Sequence, residues 1–304
     1  MYGLVNSRWV ALTCVAGCFL IAATNSRAAL VLQYGFDEPS GDALDTGVGI
    51  PANGQFFDGA TRSNNTPGGI GQSLDLTNDD PNALVRDGDA DKLDGLTQLT
   101  VSTWINVSAY PGDAGPGITN SGNKRLVSKQ DSGGGGFTFN LNSAVNDGTA
   151  GANDFKVGLF IGDEGGVGFT SGTSTADVDA NTISAQNHWV FLAVTYDGTS
   201  ATDNTRFYIG DANTPVTQLG QTLTLGQTTI ASGSARVGVG FTDAAASGFD
   251  FSVDGYQDDV RVYNTALSLA DLNAARLAAL VPEPSSLLLM SFAVGLLVPR
   301  RRTF

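Results

Sequence analysis

Residues 251–267, FSVDGYQDDVRVYNTAL, read as one long strand followed by a turn. Side chains alternate between faces along a strand. Tyr256, Val260 and Val262 therefore share one side, and Asp259, Arg261 and Tyr263 share the other. Phe251 and Val253 are out of phase with the valines, which predicts a bend or bulge at Asp254 and Gly255. Aspartate is a poor strand former, so Asp258 and Asp259 each need compensation. Asp259 can pair with Arg261 on its own face. Asp258 falls on the valine face, where no cation accompanies it.

The rest of the interior repeats this strand logic without a long amphipathic helix. Leu30, Leu32, Tyr34 and Phe36 make one apolar face of an opening strand that stops at Asp37. In residues 99–107, Val101, Ile105 and Val107 share a face and Trp104 takes the other, where packing is the expected role and a sugar platform the alternative. Residues 188–194, HWVFLAV, are apolar on both faces, as a central strand is. Asp197-Gly198 then turns the chain toward a partner at 205–209. Further strands are expected at 72–76, 82–85, 125–129, 137–141, 155–161, 216–225 and 235–239, with 171–181 a polar connection. The 39 glycines and 10 prolines suit short strands and many turns. The Gly133–Gly136 run closes a hairpin; no Gly-Lys-Ser/Thr follows it, so it is no phosphate loop. Ser268 and Asp271 form a capping box for a short helix at 269–280.

Four of these stretches, in this order, resemble the laminin-G-like, concanavalin-A-like jellyroll domains: 30–38, 99–107, 189–209 with Gly210, and the last strand with Asn264-Thr265-Ala266-Leu267-Ser268. The resemblance implies an all-β, antiparallel two-sheet jellyroll sandwich over residues 30–280, closed by the short C-terminal helix. It further implies a non-catalytic module for extracellular polysaccharide or matrix glycan, and a calcium ion (Ca2+) at the rim near the first and last strands. Asp258 is the position that transfers best to such a metal site. Asp37 follows by strand adjacency, and Asp45 and Asp254 come after it. The family's Asp-Ser-Ser-Gly-Asn-Gly-Asn loop is replaced here by the longer 45–54, which weakens the transfer to Asp45.

The two ends read differently from the middle. Residues 1–29 carry Arg8, an apolar stretch at 9–23 and Ser26-Arg27-Ala28, the layout of a secretory signal. A lipoprotein box at Val15-Ala16-Gly17-Cys18 is the alternative, although the apolar run continues past Cys18. Cys14 and Cys18 are the only cysteines, so residues 30–280 hold no disulfide. At the other end, Pro282-Glu283-Pro284 precedes an apolar run, 285–298, and then Arg300, Arg301 and Arg302. Residues 281–304 resemble the PEP-CTERM sorting signal. That resemblance implies processing by an exosortase-type enzyme and a separate apolar helix held in the membrane until then. The protein would be secreted or displayed on the cell surface. The run is shorter than the roughly 20 residues of a bilayer span, and a buried terminal helix is the alternative; the three arginines favour an anchor.

Charge and composition exclude several functions. The net charge is −14, and five of the 16 basic residues lie in the two end segments. Such a surface repels nucleic acid and anionic lipid, and suits divalent cations and neutral or cationic glycans. Asp87, Asp89 and Asp91 mimic the start of an EF-hand, but Lys92 and Gln98 stand where it needs glycine and glutamate. There are three glutamates, Glu38, Glu164 and Glu283, and no Glu-x-Asp-x-x-Glu strand of the kind used by catalytic jellyrolls. His188 is the only histidine, which excludes a two-histidine zinc motif, and no Gly-x-Ser-x-Gly elbow accompanies it. A structural surface protein without ligand and a glycoside hydrolase remain as rival readings.

Overall fold

The computed structural model describes residues 28–57, 59–77, 84–86, 90–108, 123–130, 134–143, 155–163, 169–176, 178, 187–226, 228–233, 236–240 and 253–281. Residues 1–27 of the expected signal segment, the acidic turn at 78–81, residues 87–89 of the Asp87–Asp91 run and the tail from Pro282 lie outside them. Among the described residues the strands are β1 (Leu30–Tyr34), β2 (Gln55–Phe57), β3 (Thr61–Ser63), β4 (Ser73–Asp75), β5 (Leu84–Arg86), β6 (Gln98–Val107), β7 (Asn123–Ser128) and β8 (Phe137–Ser143). They continue with β9 (Phe155–Gly162), β10 (Phe169–Thr173), β11 (Val190–Asp197), β12 (Thr205–Asp211), β13 (Thr217–Gln218), β14 (Gly238–Val239) and β15 (Gly255–Tyr263). One α-helix follows, α1 (Leu269–Ala278). No helix among the described residues is long and apolar enough to cross a membrane.

The strands form two antiparallel sheets. The first runs β13-β12-β11-β6-β15-β4-β3, with β1 also paired to β15; the second runs β10-β9-β8-β7-β14-β5-β2. Apolar side chains from both inner faces make one core, including Leu32, Tyr34, Val101, Ile105, Phe137, Phe139, Leu159, Val194, Val260 and Val262. The fold is thus the expected jellyroll sandwich, with its short helix at 269–278. Ser268 caps that helix: its Oγ accepts from the Asp271 amide at 3.3 Å and donates to the Asp271 carboxylate at 2.6 Å.

β15 is the strand on which the first sheet closes. One edge pairs with β6 along its length. The other edge is shared: Tyr256 and Gln257 face β4, and Val260 to Tyr263 face β1. The change of partner falls at a bulge between Asp258 and Arg261, where Asp259 adopts φ 46°. The sequence phase requires such a bulge, but it lies four residues beyond the expected Asp254–Gly255 position. Val253 and Gln257 consequently point inward in phase, and after the extra residue Val260 and Val262 do so again. Tyr256 therefore joins Trp104 on the opposite face rather than the valines. Asp258 likewise leaves the valine face, since its register partner is Trp104.

Other expectations shift at the margins. The polar connection at 171–181 begins inside β10, which is held by pairing with β9 rather than by an apolar pattern of its own. The strands expected at 216–225 and 235–239 shrink to two residues each.

Candidate functional site

Two regions hold polar side chains that the core does not account for. The first is the bulge. Phe36, fully buried, has φ 60°, a conformation costly for a bulky residue. It turns the chain at the end of β1 so that Asp37 faces the β15 bulge. Asp258 is only 6% exposed, and its Oδ1 accepts from the Asp259 amide at 2.7 Å. Burial, then the charge of Asp259 and that of Asp37, push the Asp258 carboxyl well above the usual carboxylate range. Asp259 itself accepts from Arg261 Nε at 2.7 Å, the pairing expected from sequence. Asp37 accepts from the Gln72 amide at 2.7 Å.

Asp37 and Asp258 are thus near enough for the charge of one to act on the other, and the other two metal candidates lie elsewhere. The Asp45 carboxylate accepts from the amides of Gln33, Gly47 and Ala52 at 3.1, 2.8 and 2.9 Å and pairs with Lys92. It holds the loop after β1 in place. Asp254 is exposed, and its carbonyl accepts from the Ser108 amide at 2.8 Å; four extended residues, about 13 Å, separate it from Asp258. Among the described residues no three acidic, histidine or cysteine side chains gather around one point. The Asp37–Asp258 pair fits a calcium ion in kind: two hard oxygen donors whose mutual repulsion a cation removes. The rest of its six to eight oxygens would come from carbonyls and water.

The second region depends on which sheet face is open. The outer face of the first sheet is closed. Trp104, Trp189, Phe191, Ala193 and Tyr208 pack there with Leu272 and Ala275 of α1. Trp104 is fully buried, its ring edge-on to Phe191 with centroids 5.7 Å apart, so packing is its role. The Trp189 indole donates to Asn65 Oδ1 at 3.0 Å. The Asn273 side chain accepts from the Val216 amide at 2.8 Å, and the Arg276 guanidinium donates to the Asp211 carbonyl, tying the helix to the β12 end. His188 stands half exposed beside Asp211 at 3.7 Å, as a strand-start residue.

The second sheet's outer face is polar. Its register places Arg125 beside Asn140 and Asn140 beside Gly158; Asn142 lies beside Lys156, and Thr138 beside Phe160. Asn140 Nδ2 donates to Asn142 Oδ1 at 2.6 Å, and the Ser128 and Thr138 hydroxyls share a bond at 3.0 Å. A Cβ on Gly158 would sit 2.4 Å from Asn142 Nδ2 and 3.0 Å from Asn140 Oδ1. The glycine therefore lets both amides lie flat across β9. Asn140, Thr138 and Ser128 are buried, Asn142, Lys156 and Phe160 are half-buried, and Ser171 and Thr173 on the edge strand are exposed. Sequence reasoning missed this row. Its one local signal is the alternation Phe-Thr-Phe-Asn-Leu-Asn at 137–142, which also describes any half-exposed strand.

The comparisons with known proteins agree with this architecture. No curated protein matches the chain in sequence. Among solved structures, the botulinum neurotoxin serotype G binding domain is similar with a TM-score of 0.54 at 11% identity. The receptor-binding domain of a C/D mosaic serotype gives 0.52 at 11%. A serotype D ligand-binding domain in complex with N-acetylneuraminic acid gives 0.54 at 12%. Each covers 82% of this chain, and the chain spans 51% of each of those structures. At such identities the likeness is one of fold. Residues 76–273, well over half the chain, match the family model described as concanavalin A-like lectin/glucanases superfamily, and the protein belongs to that family.

Proposed function

We propose that the chain is a secreted, cell-surface, non-catalytic module that binds extracellular polysaccharide or matrix glycan. The observation that carries this reading is the contrast between the two outer faces. One is sealed by α1; on the other, the Asn142 amide, Lys156 and the Phe160 ring are half-exposed beside the exposed Ser171 and Thr173, while Asn140, Ser128 and Thr138 are buried. Side-chain amides engage vicinal sugar hydroxyls as donor and acceptor at once, and an aromatic ring covers the apolar face of a pyranose. In this reading Asn142, held by the buried Asn140 amide, orients the sugar and Phe160 packs against it. One similar fold, the serotype D domain, carries a sugar acid in its crystals, which adds a fold-level analogy only.

The non-catalytic reading rests on chemistry. Glycoside hydrolysis needs two carboxylates about 5 to 9.5 Å apart. The described outward side chains of β7, β8, β9 and β10 are amides, hydroxyls, cations and Phe160. Calcium in this reading is held by Asp37 and Asp258, and its contribution is structural: it fixes the end of β1 against the β15 bulge. The tail would be processed by an exosortase-type enzyme at Pro282-Glu283-Pro284, with residues 285–298 in the membrane beforehand.

A glycan array with and without calcium tests the reading, followed by titration of any hit against Asn142→Ala. Specific binding lost in the variant supports it. No binding to any glycan favours a structural surface protein, and release of new reducing ends identifies a hydrolase.

A further inference from the structure

The chain leaves the described domain through an uncharged apolar collar. The turn at 66–71, TPGGIG, packs against the end of α1, where the chain reads LAALV at 277–281. Contact is close: a Cβ on Gly68 would lie 3.0 Å from the Ala279 carbonyl oxygen and 3.0 Å from Leu280 Cα. Neither segment holds a charged residue, in a protein of net charge −14. The buried Arg276, next to Leu277, and Asp37, beside Gly71, mark its margins. Three large apolar side chains stand out from the collar: Ile70 at 45% exposure, Leu277 at 48% and Val281 at 59%. Leu277 lies in the last turn of α1, and Val281 follows just past the helix end, after the turn in which the Leu280 amide donates to the Leu277 carbonyl at 3.1 Å.

We propose that this collar seats on a lipid bilayer surface when the apolar segment 285–298 is inserted. The proposal rests on the membrane reading of that segment given above. Three residues join Val281 to Ser285, so Val281 stands no more than roughly 14 Å from the start of the apolar run at full extension. The headgroup layer is about 5 to 8 Å deep on each side, so the collar is within reach of it. Elsewhere the acidic domain is repelled by anionic lipid. The collar is the surface at the tail's root that carries no charge and gains by leaving water. Seating it would fix how the sandwich stands on the membrane, instead of leaving the domain to swing on a tether.

The test uses the full chain with Cys14→Ser and Cys18→Ser, bound to phosphatidylcholine vesicles that carry a nitroxide quencher at headgroup depth. An environment-sensitive fluorophore is placed by Ile70→Cys, Leu277→Cys or Val281→Cys, and by Thr173→Cys on the far sheet edge as control. Flotation first establishes that the protein is on the vesicles. The expected result is a blue-shifted, strongly quenched label at all three collar positions and an unchanged label at residue 173. Quenching at Leu277 and Val281 should fall to the control level in the Ile70→Asp background. Floating protein whose collar labels match the control overturns the proposal and leaves the anchor reading intact. Collar labels that are unquenched but cross-link in detergent assign the surface to a second copy of the chain, which also overturns it. Protein that does not float removes the anchor reading, and the proposal falls with it.

Discussion

The side-chain amide of Gln257, on β15 of the first sheet, donates to the backbone carbonyl of Leu126, on β7 of the second, at 3.0 Å across the core. Gln257 is fully buried, and the same nitrogen donates to the Thr103 hydroxyl at 3.2 Å. Its Oε1 has no hydrogen-bond donor. Gln257→Ala removes both bonds and leaves a cavity, so it should cost about 2–4 kcal/mol in urea unfolding. Gln257→Leu should cost less than about 1 kcal/mol. The Leu126 carbonyl keeps its bond from the Gly240 amide at 3.0 Å, and the unmatched Oε1 disappears. Equal losses in the two variants would mean that the lost hydrogen bonds, not the cavity, govern the site.

Asp258 should give the metal-free protein a falling stability with rising pH. Its carboxyl is raised above 3.8 by burial, then by Asp259 and Asp37. The native state therefore keeps a proton that the unfolded chain releases, and stability declines as pH rises from about 4 toward the raised value. Asp258→Asn should flatten that slope and raise the melting temperature of chelator-treated protein at neutral pH. Calcium at 100 times its dissociation constant should stabilise the wild type by about 2.7 kcal/mol and leave this variant unchanged. Asp45→Ala should lower stability, through its lost amide bonds, while keeping the calcium response. A stripped wild type indifferent to calcium would eliminate the site.

β1 should be indispensable. Leu32 and Tyr34 pair with Val262 and Val260 and are fully buried. Leu32→Ala should cost about 2–5 kcal/mol, and deletion of residues 30–36 should abolish cooperative unfolding by circular dichroism.

On the second sheet's outer face, Asn142→Ala and Phe160→Ala should each weaken glycan binding roughly 5- to 50-fold, about 1–2.3 kcal/mol; Asn142→Ala should also lower the unfolding midpoint, because it strands the buried Asn140 amide. Gly158→Val should weaken binding likewise by displacing the Asn142 amide from its place on β9. Calorimetry of any array hit measures all three. Unaltered affinity in the three variants would move the binding surface elsewhere.

Processing of the tail should appear in the mass of the surface-exposed form, which should lack Arg300, Arg301 and Arg302. A soluble secreted protein with its C-terminus intact would count against a sorting role.

Much of the fold was legible because burial writes itself locally. Leu30 to Phe36, Val101 to Val107 and the run from Val190 to Tyr196 declare their faces by period two, and Ser268 with Asp271 marks the helix start. The bulge was legible as a phase conflict, but its position was not. Only the change of neighbour from β4 to β1 locates the extra residue at Asp258–Asp259, and that change is non-local. The same reason separated the metal candidates: Asp45 reads like Asp37 in sequence, yet three backbone amides and Lys92 occupy its carboxylate. The amide row at Asn140 and Asn142 depends on Gly158 lying opposite on another strand, which no local pattern states.

The pairing of β1 with β15 has a bearing on how such a chain is made. The Ala29 amide donates to the Asn264 side chain at 3.1 Å, 235 residues away. A chain delivered N-terminus first presents β1 at once, but the strand that it pairs with emerges almost last. Until residue 263 is out, β6 lacks one neighbour and β1 has no strand partner in the first sheet, so the sandwich cannot close ahead of its own delivery. Distant pairing of this kind slows folding. It also keeps the polypeptide threadable, and closure is set by the arrival of its final strand.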